Sequence, residues 1–112
     1  MVWEDWERER IDGALAVVST IDPNGMPHAV PVKVWLEGDA LRIETAHDSR
    51  KLRNLIRDPR VALCVFGAPK WGVSIQGTAE VLSSGDGSGQ AQVRIVADRK
   101  VSWRRKEAGL NR

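Results

Sequence analysis

Cysteine is nearly absent from this chain: Cys64 is the only one among 112 residues. A single thiol excludes an internal disulfide and a thiolate metal cluster, and it favours a reducing compartment. Long apolar runs are also missing, and none approaches the roughly 20 residues that cross a bilayer. The opening residues, MVWEDWERERIDG, are too charged for a signal peptide. We therefore expect a cytoplasmic protein without a membrane anchor.

A strong net charge is lacking too. The formal charge is only +2, although the pI is about 9.0. The composition therefore does not imply strong sequence-independent binding to nucleic acid. Hydrophobic residues at 42% and charged residues at 29% are ordinary for a globular protein. The length predicts a single domain of residues 1–112: an N-terminal helical segment (1–13), a barrel (14–103) and a basic tail (104–112). A domain this small hides only about two-thirds of its unfolded surface, so a second subunit would be useful.

Most of the chain has the pattern of β-strands. β-Branched and alternating segments are bounded by turn signals such as DPNG and EGDA. The predicted strands are 14–21, 26–36, 41–46, 60–66, 72–82, 90–97 and 100–103. We expect a mainly β fold, a small antiparallel split barrel of six or seven strands with two short helices. The first helix spans 3–12 and docks through Trp3 and Trp6, and SSGDGSG (83–89) is a flexible connection.

The second helix is predicted over 48–58. Leu52, Leu55 and Ile56 recur at helical spacing and give one apolar stripe, which leaves the basic side chains on the remaining face. Asp48 or Ser49 can cap its start, and the Asp-Pro pair at 58 and 59 should end it.

The first turn of this helix carries cations, which is unusual. Arg50 and Lys51 face the positive end of the helix dipole, at a cost of about 0.3 to 1 kcal/mol each. A bound anion would reverse that cost. Together with backbone N–H groups and the hydroxyls of Thr45 and Ser49, the two cations make a phosphate cradle where a strand meets a helix. The alternative is a solvated basic face whose long stems cover the barrel.

Three segments, STIDPNGMPHAVPV, SRKLRNLIRDPRVAL and VSIQGTAEV, occur in this order and spacing. They resemble the pyridoxamine 5'-phosphate oxidase-like split barrels that bind flavin. The resemblance covers roughly residues 12–82, and QAQVRIVADRKVSW looks like the last strands of the same fold. It implies a homodimer with FMN in the clefts between subunits.

The resemblance also implies which residues hold the cofactor. It places the phosphate against Thr45, Ser49, Arg50, Lys51 and Asn54. It places the strand that lies along the flavin ring, mostly through its backbone, at Pro31, Val32, Lys33 and Val34. Trp71 and Gln76 belong to a hairpin that can approach the cofactor from the partner chain.

The expected chemistry is hydride or electron transfer at the flavin, with a small redox substrate and reduced nicotinamide as an electron donor. Lys33 is the one charged group expected near the ring, where it would stabilise the negative charge of reduced flavin. Many relatives have a helical insertion near SSGDGSG and a longer C-terminus that build a substrate pocket, and both are minimal here. A pyridoxamine phosphate substrate is therefore not expected.

Three alternatives stay open at this point. A deazaflavin could bind the same barrel, its anionic tail held by Arg99, Lys100, Arg104, Arg105 and Lys106. The protein could instead be a non-catalytic flavin or haem carrier. It could also be a small basic barrel that binds nucleic acid, although its tryptophans are spread over several predicted elements. His28 and His47 without a second cysteine give little support for a zinc site.

The phosphate cradle leads to a first prediction. Replacing Arg50 and Lys51 together by Ala should release the flavin without unfolding the barrel, because this reading expects both side chains to be exposed. Flavin stoichiometry and thermal denaturation of the purified variant measure the two effects. A variant that retained its flavin would contradict the assignment.

Overall fold

In the computed structural model, which describes residues 1–85 and 89–105, the chain is mainly β. Tail residues from Lys106 onward and the centre of the predicted SSGDGSG connection lie outside the described residues. The elements, in chain order, are α1 (Asp5–Ile11), β1 (Ala14–Ile21), β2 (Pro27–Glu37), β3 (Ala40–Ala46), α2 (Arg50–Arg57), β4 (Arg60–Gly67), β5 (Trp71–Ser83) and β6 (Gln90–Arg104). No helix in these ranges is long and apolar enough to cross a bilayer.

The six strands close into one antiparallel barrel in the order β1-β2-β3-β6-β5-β4. Pairing of β1 with β4 completes the circle, and α2 interrupts the chain between β3 and β4. The predicted mainly β barrel with two short helices is confirmed. Segments 90–97 and 100–103, which we predicted as separate strands, form the single strand β6.

A bulge explains how β6 stays continuous. Gln76 pairs with Arg99 and Gly77 with Ala97, so Asp98 is left unpaired on β6. A Cβ on Gly77 would lie 2.3 Å from the backbone oxygen of Val96, which makes glycine necessary at this close approach. The extra residue had looked like a break between strands in the sequence.

The barrel interior follows from the alternation of side chains along each strand. Every second residue points inward, and the inward set is almost entirely aliphatic. The interior residues of the strands include Ala16, Val18, Val34, Leu41, Ile43, Val61, Leu63, Val65, Val73, Ile75, Ala91, Val93 and Ile95. Polar interior residues gather instead at one end, beside α2, where Thr20 and Thr45 are buried.

The outer face of five strands, β2-β1-β4-β5-β6, is unusually apolar. Leu15 is 69% exposed and Phe66 is 64% exposed. One cross-strand row on this face consists of Pro31, Val17, Cys64, Ser74 and Val101. Exposed apolar side chains gathered on one face are typical of a surface that another protein covers.

Helix α1 is fixed to the barrel by a buried ion pair. Glu7 is fully buried, and Lys100 of β6 donates to its Oε1 at 2.6 Å. Burial alone would raise the pKa of Glu7, but hydrogen bonds from Lys100, Ser102 and the backbone of Glu4 outweigh burial and lower it. Trp3 is buried beside this pair and donates its indole N–H to the backbone oxygen of Asp39, so the predicted docking of the N-terminal segment through Trp3 holds.

Breaking this ion pair on one side should destabilise the protein strongly. Lys100→Met keeps the length of the side chain but leaves the Glu7 carboxylate buried without its cation, at a cost of about 3 to 5 kcal/mol in the free energy of unfolding. Urea denaturation measures the loss. The double variant Glu7→Gln/Lys100→Met removes both charges and should recover most of it, whereas equal losses in the two variants would contradict a charge effect.

Candidate functional site

Helix α2 lies at one end of the barrel and begins as the sequence predicted. Ser49 is the N-cap, and its Oγ accepts a hydrogen bond from the N–H of Leu52 at 3.0 Å. Asp58 is the C-cap. The predicted apolar stripe is partly wrong: Leu52 and Leu55 are buried, but Ile56 is 63% exposed. Two polar side chains, Lys51 and Asn54, share the buried side instead.

Lys51 is the most unusual of the buried polar residues around the start of α2. Only 9% of it is exposed, and its Nζ donates to Thr45 Oγ1 at 3.1 Å. Thr45 Oγ1 in turn lies 2.8 Å from Ser49 Oγ. Within the described ranges no carboxylate lies within 4.0 Å of this ammonium. Burial lowers the pKa of Lys51. The expectation that Lys51 is exposed is therefore wrong.

Arg50, the neighbouring cation, is bonded to a carboxylate. Its guanidinium binds both carboxylate oxygens of Asp22, with Nε 2.9 Å from Oδ1. Asn54 Nδ2 donates to the same Oδ1 at 2.9 Å and to Thr20 Oγ1 at 3.0 Å. These bonds from Arg50 and Asn54 lower the pKa of Asp22 to about 2. Arg50 is exposed, as predicted, but it is paired.

Sequence reasoning missed Asp22 and Thr20 as part of this cluster. Asp22 belongs to the DPNG segment, which reads as a turn, and it also serves that turn: its N–H donates to the oxygen of Met26 and its oxygen accepts from the N–H of Gly25, both at 2.8 Å. An aspartate directly after a predicted strand was the available signal. Its partner lies 28 residues further along the chain, so only the fold reveals the pair.

An open groove of about 610 Å³ lies on the outside of the barrel at the same end. Ser19 and Ile21 line it, and they alternate along β1 with the buried Thr20 and Asp22, so the groove and the polar cluster share the end of this strand. The other lining residues are Arg60, Val61, Ala62, Gln76, Gly77, Thr78, Asp98 and Arg99. Gln76, predicted near the cofactor, thus faces outward into this groove.

The four predicted residues of β2 divide between the two faces of the sheet. Pro31 and Lys33 are exposed on the outer apolar face, Val32 is half-buried and Val34 is fully buried in the core. Lys33 Nζ lies 5.3 Å from the ring centroid of Trp35. Any contact of Val34 with a ligand on the outer face would therefore involve its backbone, as the resemblance implies.

Trp71 lies at the opposite end of the strands from Lys51. Its ring packs 5.0 Å from the guanidinium of Arg10 on α1. Thr78 at the groove is seven residue steps along β5 from Trp71, a distance of about 23 Å. One subunit therefore does not bring Trp71 and the phosphate cradle together, which a second subunit could do.

The basic residues of the C-terminal tail do not form one surface. Lys100 is bound to Glu7, Arg99 lines the groove, and Arg104 stacks 5.0 Å from the Trp6 ring. The described cations of the tail therefore have different surroundings, because alternate residues of β6 face opposite sides of the sheet. The tryptophans belong to several elements, as the sequence indicated, although Trp6 and Trp71 both lie near Arg10.

Comparison with known proteins agrees with this geometry. The family model described as pyridoxamine 5'-phosphate oxidase matches residues 8–110, and the chain belongs to this family. The resemblance read from the three sequence segments is thereby confirmed. No curated protein matches the chain.

Several solved structures share the fold. HupZ from Group A Streptococcus superposes with a TM-score of 0.79 at 18% identity and covers 91% of this chain and 100% of its own. An F420 reductase superposes with a TM-score of 0.77 at 16% identity, and the match covers 89% of this chain and 98% of the reductase. A conserved hypothetical protein from Mycobacterium tuberculosis superposes with a TM-score of 0.75 at 26% identity, and the match covers 92% of this chain and 86% of that protein. The barrel, more than the sequence, is what these proteins have in common.

The ion pair at Asp22 predicts a pH dependence. The pKa of Asp22 is about 2 in the folded protein, below its ordinary value of 3.8. The stabilisation is therefore fully present above about pH 4 and is lost as the pH falls towards 2. Asp22→Asn should flatten the fall of the urea midpoint between pH 5 and pH 2. Glu9→Gln, at an exposed carboxylate of α1, is the control and should keep the wild-type dependence; identical profiles for all three proteins would contradict the pairing.

Proposed function

We propose that this protein is an FMN-binding flavoprotein that transfers hydride or electrons as a homodimer. The observation that carries the proposal is the buried ammonium of Lys51, which has hydroxyl neighbours and no carboxylate within the described ranges. A buried charge is normally paired, since taking an ion out of water costs several kcal/mol. A phosphate is the natural anion for this position.

The surroundings of Lys51 suit a phosphate for two further reasons. The first-turn N–H groups of α2, at Arg50 and Lys51, have no intrahelical acceptors and carry the positive end of the helix dipole. The hydroxyls of Thr45 and Ser49 can donate to phosphate oxygens. The residues present therefore fit the phosphate of FMN, with Lys51, Thr45 and Ser49 as its ligands. Asn54 lies one turn further, bound to Asp22.

We propose that the rest of the cofactor lies on the outer face. The groove with Gln76 shares the end of β1 with the polar residues that hold α2, and the β2 segment from Pro31 to Val34 edges the same apolar face. When bound, FMN supplies the hydride or electron transfer, with reduced nicotinamide as the proposed donor. The apolar face excludes water from the ring, and Lys33 is an exposed cation that can stabilise negative charge there.

The same apolar face supports the proposal of a homodimer. Leu15, Phe66 and Val101 are all more than half exposed in a single chain. A second copy would bury them and bring in Trp71, which a single subunit holds about 23 Å from the groove. The clefts at the edge of such an interface would then hold the flavins.

A deazaflavin is the second candidate. Its support is Arg99, which lines the groove opposite Ser19 and could hold a longer anionic tail. The structural similarity to an F420 reductase is consistent with it but, at 16% identity, concerns the fold. The dispersed C-terminal cations weaken this candidate relative to FMN.

Cofactor binding tests the proposal directly. The purified protein, or the protein reconstituted with FMN, should show the visible absorption of FMN at about one flavin per subunit and elute as a dimer. Lys51→Met should weaken FMN binding by about 10- to 100-fold, because one charge-assisted hydrogen bond is lost. Lys70→Met, at an exposed lysine remote from the cradle, is the matched control.

Two results would contradict the proposal. A protein that binds a deazaflavin but not FMN would establish the second candidate. A colourless protein that takes up neither would leave a split barrel without a flavin function. Oxidation of reduced nicotinamide with an artificial acceptor then separates an enzyme from a carrier.

A further inference from the structure

The two cations at the start of α2 are not equivalent, although they are adjacent in sequence. Successive residues of an α-helix point about 100° apart, so Arg50 turns toward the end of β1 while Lys51 turns toward the end of β3. Arg50 meets the carboxylate of Asp22, and Lys51 meets the hydroxyl of Thr45. Among the described residues, one cation is therefore neutralised by a carboxylate and the other is not.

We propose that Asp22 is a built-in competitor of the ligand phosphate: it holds Arg50 away from the anion, leaves Lys51 as the binding cation, and thereby sets the affinity of the site. This inference rests on the proposed function and deepens it. It reverses the role that the sequence alone gives Arg50, and it assigns a role to Asp22, which the resemblance did not mark.

The geometry favours Asp22 as a fixed anion. Its side chain is 8% exposed, and Asn54 donates to the oxygen that also accepts from Arg50 Nε. Its backbone is held by the turn through Met26 and Gly25. The Arg50 side chain is 57% exposed and has room to move. If the pair were broken, the arginine and not the aspartate would change position.

Charged and titratable groups near Arg50 come from three elements. α2 brings Arg50, Lys51 and Arg57, the end of β1 brings Asp22, and β2 brings His28. Arg57 donates to the backbone oxygen of Ile21 and to Asn54 Oδ1, so it faces away from Thr45. Asp22 is the one carboxylate bonded to Arg50 in the described part of the chain. Removing its charge frees one cation at the cradle.

A double-mutant cycle on the full chain tests the inference. The dissociation constant for FMN is measured by quenching of flavin fluorescence for wild type, Arg50→Ala, Asp22→Asn and the double variant. We expect Arg50→Ala to change affinity by no more than about threefold, since the lost charge is already neutralised. We expect Asp22→Asn to bind more tightly by more than about threefold, because the freed arginine gains a charge-assisted bond to phosphate. The double variant should lose that gain.

The sign of the Asp22→Asn effect is decisive. Loss of a merely structural contact cannot tighten binding, so unchanged or weaker binding by Asp22→Asn would overturn the inference. Weakening by more than threefold in Arg50→Ala would overturn it as well, because Arg50 would then touch the phosphate. Arg53→Ala, at an exposed cation on the same helix, corrects for long-range charge. Thermal denaturation without ligand identifies any variant that fails to fold.

Inorganic phosphate separates this inference from the proposed function. The same variants are titrated with phosphate while the backbone N–H signal of Lys51 is followed by NMR. Phosphate binding in the predicted order without FMN binding would reject the flavin function and keep the inference. FMN binding in the wrong order would keep the function and reject the role of Asp22.

Discussion

The proposed function depends on the burial of the Lys51 ammonium group. It is held at the end of the barrel by one hydroxyl, Thr45 Oγ1, and lies one residue from a helix N-terminus. Desolvation of a cation is unfavourable unless a partner compensates for it, and burial accordingly lowers the pKa of this lysine. The barrel, the cap at Ser49 and the packing of Leu52 and Leu55 all keep the side chain in this position.

At the same end of the barrel, the end of β1 both lines the candidate site and holds helix α2. β1 ends with alternating residues: Ser19 and Ile21 line the outer groove, while Thr20 and Asp22 hold α2 from inside. A change that shifts this strand by one residue would exchange the two sets. The site thus depends on the register of a strand that also carries part of the core, which ties binding to the stability of the whole barrel.

Local patterns predicted most of the fold but less of the site. The strand β1 was predicted with its observed ends because Ala14–Ile21 is rich in β-branched residues and lies between turns. The cap at Ser49 follows from local chemistry in the same way. Ile56 was assigned to the buried face because a helical stripe does not show which side a curved barrel end will cover; the polar pair Lys51 and Asn54 occupies that side instead. Asp22 was missed because its partner is distant in sequence.

Two features of the fold could not be predicted from the alternation of a single strand: the extent of the apolar outer face and the position of Trp71. The proposed second copy would account for both. A crystal structure of the protein grown with FMN would show directly whether Lys51 binds the phosphate. We expect the phosphate of FMN within hydrogen-bonding distance of Lys51 Nζ, with Arg50 still on Asp22. A phosphate bound elsewhere, with Lys51 still on Thr45 alone, would contradict it.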